Sequence, residues 1–199
     1  IGGLTGLPLG FNFSDVALHD SYYVIAHFHY VVAPGTIFAI FAGVYYWYPK
    51  MTGRMMSELW GKVHFWSSLI FMNLIFMPMF AQGMAGMSRR MSDGGATYSL
   101  SNPDNADVGG ALSDTIMGLN VSISAAAWAM LLAQLPFIVN LFWSVKYGKK
   151  IESDNPWNAT TLEWETPTPP PHGNFVKEIK VYRDPYEYSV PGAKEDFSP

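Results

Sequence analysis

The 199-residue sequence has no cysteine, and only 14 % of its residues are charged. The lack of cysteine excludes disulfides, thiolate metal sites, cysteine nucleophiles and iron–sulfur clusters held by this chain. With 12 basic against 16 acidic residues the net charge is −4, which excludes a basic nucleic-acid-binding protein. Soluble domains carry charge on about a quarter of their residues. The scarcity of charge here, together with 16 % aromatic residues, is therefore unusual for a soluble domain.

Three long runs contain no Asp, Glu, Lys or Arg: residues 21–49, 63–88 and 115–145. A membrane-spanning helix needs roughly 20 mostly apolar residues, and each run exceeds that length. Each run also contains a proline, which membrane bundles tolerate because neighbouring groups satisfy the freed carbonyl. We therefore predict an all-α membrane protein with three transmembrane helices of a larger helical bundle. Three buried helices of a soluble protein are the alternative.

Basic residues favour cytoplasmic loops. They cluster after the first run and after the third, whereas the segment between the second and third runs is acidic. We predict an external loop at residues 1–20, transmembrane helices at 21–49, 63–88 and 115–147, a cytoplasmic loop at 50–62, an external loop at 89–114 and an extended, Pro-rich cytoplasmic tail at 148–199.

Arg89 and Arg90 break this charge pattern, because they lie at the predicted outer end of the second helix. They are either a chance exception to a statistical rule or a binding site for fixed negative charge. Carboxylates of a bound cofactor are ligands that the arginine fork suits.

His27 and His29 lie deep in the first predicted helix. Ionisable groups inside a membrane are costly and usually functional. At ~100° per residue the two side chains point ~200° apart, with a height difference of ~3 Å. They cannot chelate one metal together, but they can hold two metal centres on opposite sides of the helix. Neutral imidazole is a common axial ligand of haem iron.

His19 and Asp20 lie at the outer start of the same helix. Adjacent nitrogen and oxygen ligands suit a hard divalent ion such as Mg²⁺ or Mn²⁺. Taken alone, the pair is better explained by a solvated polar loop or by Asp20 as a helix cap. Asp15 is ambiguous in the same way. We interpret His64 and His172 as structural residues.

Residues 19–30, His-Asp-Ser-Tyr-Tyr-Val-Ile-Ala-His-Phe-His-Tyr, closely resemble the signature of subunit I of haem–copper terminal oxidases of the cytochrome c oxidase type. The similarity continues through residues 60–65, Trp-Gly-Lys-Val-His-Phe, and residues 86–93, Gly-Met-Ser-Arg-Arg-Met-Ser-Asp. It covers roughly residues 2–150, and the tail resembles that of bacterial members. The chain resembles the last three of the helices of that subunit.

The resemblance implies a role for each matching residue. His27 would be the proximal axial ligand of the high-spin haem in the catalytic, oxygen-reducing site. His29 would be one of the two axial ligands of the low-spin haem. His19 and Asp20 would contribute to a magnesium or manganese site shared with subunit II.

The resemblance also implies that Arg89, Arg90 and Asp15 bind haem propionates. The implied cofactors are two haems of the a type, copper whose ligands lie outside this chain, and Mg or Mn. The implied partners are the N-terminal remainder of subunit I (a separate polypeptide or part of a longer chain), subunits II and III, cytochrome c or a fused or associated c-type cytochrome as electron donor, and the lipid of a bacterial inner membrane.

From this resemblance we expect the C-terminal part of the catalytic subunit of a proton-pumping cytochrome c oxidase. Such an enzyme reduces O₂ to water with electrons passed from a low-spin to a high-spin haem, and this chain would not be active alone. The alternatives are a quinol oxidase or another haem–copper reductase, a non-catalytic structural or assembly subunit, and a membrane transporter whose histidines relay protons.

Overall fold

The computed structural model describes residues 1–91, 106–176, 178 and 184, with side chains from residue 118 onwards in the second stretch. The described part of the chain is helical and contains no named strand. The α-helices are α1 (Gly2–Thr5), α2 (Leu7–Gly10), α3 (Asn12–Leu18), α4 (Tyr22–Val32), α5 (Ala39–Thr52), α6 (Glu58–Met84), α7 (Ala106–Leu132) and α8 (Leu135–Tyr147). A π-helical segment, Ala33–Phe38, joins α4 to α5, and a 3₁₀ helix spans Leu162–Glu165.

Three stretches are long and apolar enough to cross a membrane: Tyr22–Thr52, Glu58–Met84 and Gly118–Tyr147. Large apolar side chains such as Ile40, Trp66 and Trp128 are exposed on them, as expected for helices that face lipid or other helices. The prediction of an all-α membrane protein with three spanning helices is confirmed.

The segments between the spans differ from the expected boundaries. Residues 1–20, expected as a loop, form the short helices α1 to α3, closed by local backbone bonds such as Gly10 N–H to Gly6 O at 3.0 Å. Of the loop expected at 89–114, residues 92–105 lie outside the described residues, and the chain is helical again from Ala106. The described part of the tail up to residue 176 contains turns and the 3₁₀ helix rather than continuous extended chain.

The prolines of the three runs are accommodated in different ways. Pro34 lies inside the π-helical segment, and a local π adjustment is one way in which a membrane helix accommodates a proline. Pro78 lies inside α6, which continues past it. Pro136 is the second residue of α8, in the first turn, where a backbone N–H would have no partner within the helix. Between α7 and α8, the Gln134 side-chain amide donates to the Met130 carbonyl at 3.1 Å and ties the connection back to α7.

By contacts the described chain forms two compact units. In the first, Ile1–Ile40 with Val63–Leu135, α4 packs closely on α6. A Cβ built on Gly83 of α6 would lie 2.0 Å from the backbone nitrogen of Tyr23, so only glycine permits this approach. Around the contact, Tyr23, Ala26, Tyr30, Met72 and Phe80 form a buried cluster.

The second unit, Phe41–Lys62 with Pro136–Pro199, contains the start of the tail. The Lys50 ammonium is buried and donates to the Thr166 carbonyl at 2.5 Å. The indole N–H of Trp164 donates to the Tyr46 hydroxyl at 2.9 Å, and that of Trp157 donates to the Tyr46 carbonyl at 2.8 Å. These bonds attach the tail to α5.

Candidate functional site

His27 lies on α4 beside the N-terminal segment. Its Nδ1 is 3.1 Å from the hydroxyl oxygen of Thr5. That hydroxyl also lies 3.0 Å from the carbonyl oxygens of Ile1 and Gly2, which can only accept. With its single proton directed to a carbonyl, the hydroxyl accepts from Nδ1–H of His27. Nε2 of the imidazole then carries the lone pair that binds a metal.

Gly6 passes beside the same imidazole ring. A Cβ built there would lie 2.8 Å from Cε1 and 3.3 Å from Nε2 of His27. Any side chain at this position would therefore press on the metal-binding edge of the ring. Glycine avoids this contact with the ring.

His29 lies two residues further along α4. Its Nδ1 is 2.8 Å from the Ile25 carbonyl oxygen, one turn earlier in the helix. A carbonyl only accepts, so Nδ1 carries the proton and Nε2 has the free lone pair. The ring also stacks on Phe76 of α6, with 4.4 Å between centroids and 15° between planes.

The two histidines thus contact different elements of the fold. His27 is bonded to α1, whereas His29 lies against α6. This arrangement agrees with the opposite-face geometry expected from their spacing. Both rings have Nδ1 engaged and Nε2 available, which is the usual arrangement of metal-ligating histidines.

A second group of predicted residues meets where α4 begins. Asp20 accepts from Arg89 Nε at 2.7 Å and lies 2.6 Å from a terminal nitrogen of the same guanidinium. Arg90 is 3.7 Å from the same carboxylate oxygen, and His19 Nε2 is 3.4 Å from the other one. Four predicted site residues, distant in sequence, therefore form one charged cluster.

The backbone holds this cluster together. The Arg89 N–H donates to the Asp20 carbonyl at 2.8 Å, and the Tyr22 N–H donates to the Met87 carbonyl at 2.9 Å. Asp20 and Arg90 both have positive φ angles, 56° and 67°, which non-glycine residues adopt infrequently. Such conformations persist where the surroundings fix them, and they concentrate at functional sites.

The guanidinium of Arg89 dominates the electrostatics of the cluster. Its hydrogen bond is the main reason that the pKa of Asp20 lies below the ordinary value of 3.8. Desolvation opposes this shift, and the charges of Arg89, His19 and Arg90 add to it. The Arg89 side chain is only 22 % exposed, whereas that of Arg90 is 73 % exposed. Arg90 can therefore reach a further anion.

Asp15 does not join this cluster. Its carbonyl accepts from the His19 N–H at 2.7 Å, but within the part of the chain that the structure describes its carboxylate pairs with neither arginine. His64, interpreted as structural, is buried and 3.0 Å from the side-chain oxygen of Gln134. Across the described residues, no group of three or more His, Asp or Glu side chains gathers as a complete metal site.

The supporting residues Thr5, Gly6 and Phe76 were not predicted. Thr5 and Gly6 lie in a Gly-rich segment whose sequence carries no recognisable pattern, and Phe76 is one of many aromatic residues in an apolar run. The sequence offered one signal, since Thr5 is the only hydrogen-bonding side chain in residues 1–10.

The fold and the site define a class: a multi-span helical membrane protein in which two histidines of one helix contact different elements of the fold. Comparison with known proteins agrees with this class. The family described as Cytochrome C and Quinol oxidase polypeptide I matches residues 1–108. The chain belongs to that family.

Curated relatives match over nearly the whole chain. The alternative cytochrome c oxidase subunit 1 of Bradyrhizobium diazoefficiens is 44 % identical over 200 residues, covering 100 % of this chain and 32 % of the relative. Cytochrome c oxidase subunit 1 of a Synechocystis species is 41 % identical over 190 residues, covering 96 % and 31 %. That of Thermostichus vulcanus is 38 % identical over 195 residues, covering 98 % and 32 %. The chain thus spans about a third of the length of these relatives.

Proposed function

We propose that this chain is the C-terminal part of the haem-bearing catalytic subunit of a proton-pumping cytochrome c oxidase, which reduces O₂ to water. The observation that supports the proposal is the hydrogen bonding of His27 and His29. In each imidazole Nδ1 is bonded to a neighbouring oxygen, which leaves Nε2 available to bind iron. The relatives are named as cytochrome c oxidase subunits, which favours cytochrome c, over quinol, as the electron donor.

In this proposal the His27 imidazole would hold the iron of the high-spin haem, and the His29 imidazole would hold the iron of the low-spin haem. When bound, the two haems would supply one-electron redox chemistry, and copper held by residues outside this chain would complete the oxygen-reducing centre. The chain's own contribution is to fix both imidazoles, through Thr5 for His27 and through the Ile25 carbonyl for His29. Because the two bonds are independent, the two ligands are oriented separately.

We assign Arg89 and Arg90 to the haem propionates. Arg90 is mostly exposed and has guanidinium donors free of strong bonds, since its contact with Asp20 is 3.7 Å long. Arg89 is held in place by Asp20 and retains further N–H donors. The proposed contribution of Asp15 to the propionate site would be indirect, because its carboxylate pairs with neither arginine.

His19 and Asp20 form the proposed contribution to a Mg²⁺ or Mn²⁺ site. The Asp20 oxygen that is not bonded to Arg89 lies 3.4 Å from His19 Nε2, so one nitrogen and one oxygen donor are adjacent. A hard divalent ion takes six or more ligands, and the others would come from subunit II or water.

The remaining proposed partners are the N-terminal remainder of subunit I, subunit III, and cytochrome c or an associated c-type cytochrome. The complex would lie in the bacterial inner membrane, with the tail of this chain on the cytoplasmic side.

The test uses the natively purified complex that contains this chain, with the substitutions His27→Ala and His29→Ala. Reduced-minus-oxidised visible spectra are recorded with and without carbon monoxide. We expect His27→Ala to abolish the carbon monoxide-binding haem signal and oxygen reduction while the low-spin haem partly survives, and His29→Ala to have the reverse effect on the spectra.

His172→Ala is the matched control, because His172 is exposed in the tail and should leave both signals unchanged. Equal loss of both haems in His27→Ala and His29→Ala would contradict the separate assignments. Complete retention of both haems would contradict the proposed function itself.

A further inference from the structure

The ring of Phe76 lies almost parallel to the imidazole of His29. The centroids are 4.4 Å apart and the planes differ by 15°. Phe76 comes from α6, whereas His29 is on α4, so the contact joins two helices. Neither the charge pattern nor the histidine spacing involves this phenylalanine.

Two contacts fix different degrees of freedom of the His29 side chain. The bond from Nδ1 to the Ile25 carbonyl, 2.8 Å long, fixes one atom of the ring and the tautomer. The ring can still tilt about that hydrogen bond. Phe28, its neighbour in the chain, also contacts the ring, with 4.3 Å between centroids and 30° between planes. Phe76 lies closer to parallel and comes from another helix. It therefore restricts the remaining tilt relative to α6, because aromatic pairs prefer defined interplanar geometries.

Phe76 is itself held rigidly. Tyr30 meets it edge-on at 6.4 Å and stacks on Phe80 at 5.7 Å. The Tyr30 hydroxyl donates to the Asn73 side-chain oxygen at 2.7 Å, and the Asn73 amide donates to the Leu69 carbonyl at 2.8 Å. A fixed aromatic neighbour can orient a ligand, whereas a mobile one cannot.

We propose that Phe76 is a positioning residue that sets the plane of the His29 imidazole, and through it the orientation of the axial ligand at the low-spin haem iron. This inference rests on the proposed role of His29. Groups around a ligating histidine orient the ring and tune the metal, and their loss costs about tenfold or more in metal affinity. With the haem bound, the g-values of its ferric low-spin iron would respond to the orientation of the His29 imidazole plane, so a change in tilt would be visible by spectroscopy.

The test compares three variants in the intact purified complex. Phe76→Leu removes the flat ring, and Phe76→Tyr keeps it. Phe65→Leu, the control, removes another phenylalanine of α6, whose ring packs on Phe38 and Trp66. The readouts are the g-values of the low-spin haem by electron paramagnetic resonance and its midpoint potential. A general loss of aromatic packing on α6 would affect Phe76→Leu and Phe65→Leu alike.

We expect Phe76→Leu to shift the low-spin g-values and the midpoint potential and to weaken retention of this haem by about tenfold. Phe76→Tyr should retain the wild-type signal, and Phe65→Leu should keep the wild-type g-values even where it lowers thermal stability. Unchanged g-values in Phe76→Leu, or equal shifts in Phe65→Leu, would overturn the inference. After either of these results, loss of the low-spin haem in His29→Ala would still support the proposed function. Failure of the inference about Phe76 can therefore be told apart from failure of the proposed function.

Discussion

Substituting Gly83 by alanine tests the close contact between α4, which carries His27 and His29, and α6, which contacts His29. The added Cβ would lie 2.0 Å from the Tyr23 nitrogen and 2.6 Å from its Cα and Cβ. Contacts of this kind are prohibitive below about 3 Å, so α4 and α6 must separate by about 1 Å. The obstacle is backbone, which no rotamer change relieves. Overpacking lowers the free energy of unfolding by about 3 kcal/mol at the upper end of its usual range. The higher helix propensity of alanine offsets at most about 1 kcal/mol of this loss.

We therefore expect Gly83→Ala to destabilise the fold by about 2 kcal/mol or more, a factor of roughly 30 in the folding equilibrium. The assay is thermal unfolding of the purified complex, followed by far-ultraviolet circular dichroism. Gly118→Ala on α7 is the matched control, because a Cβ there meets nothing within 4 Å. It should be neutral or stabilise by up to about 1 kcal/mol. Equal unfolding temperatures for the two variants would refute the close approach of α4 and α6.

Two further substitutions test the charged contacts. Arg89 lowers the pKa of Asp20, so the ion pair stabilises the fold fully at a pH above 3.8, the ordinary pKa of the carboxyl group. This stability is lost as the pH falls through the lowered pKa. The difference in unfolding temperature between wild type and Asp20→Asn should therefore be constant near neutral pH and shrink only below pH 3.8. A difference that disappears well above 3.8 would contradict the pair. Lys50→Met should release the tail at Thr166 and speed its cleavage by protease in the membrane-bound complex, whereas Lys149→Met, at an exposed side chain, should not. Equal cleavage of both variants would show that the Lys50 contact does not hold the tail.

The three spanning helices were predictable because charge is excluded from the membrane interior, but their ends were not. The absence of charge marks the apolar part of a helix, whereas the helix itself continues into polar surroundings. α6 begins at Glu58, five residues before the charge-free run, and Glu58 pairs with Lys62 at 2.9 Å along the helix surface. α5 likewise continues through Lys50 to Thr52. Charged residues at these ends extend the helices rather than terminate them.

The candidate site was predictable only where the signal is local in sequence. The spacing of His27 and His29 fixes their opposite directions, because helix geometry alone determines it. Their supports come from elsewhere: Thr5 is 22 residues before His27, and Phe76 lies on another helix. Such contacts depend on packing, which no local pattern encodes.

Asp20 links the two parts of the proposed outer site. One of its oxygens is bonded to Arg89 at 2.7 Å, and the other lies 3.4 Å from His19. A guanidinium has five N–H donors, and Asp20 engages only part of this set, so the pair orients Arg89 towards an anion without saturating it. The same carboxylate remains available on its other side to a divalent ion. Removing its charge would therefore disturb both the proposed propionate contact and the proposed metal site, whereas removing the His19 imidazole would disturb the metal site alone.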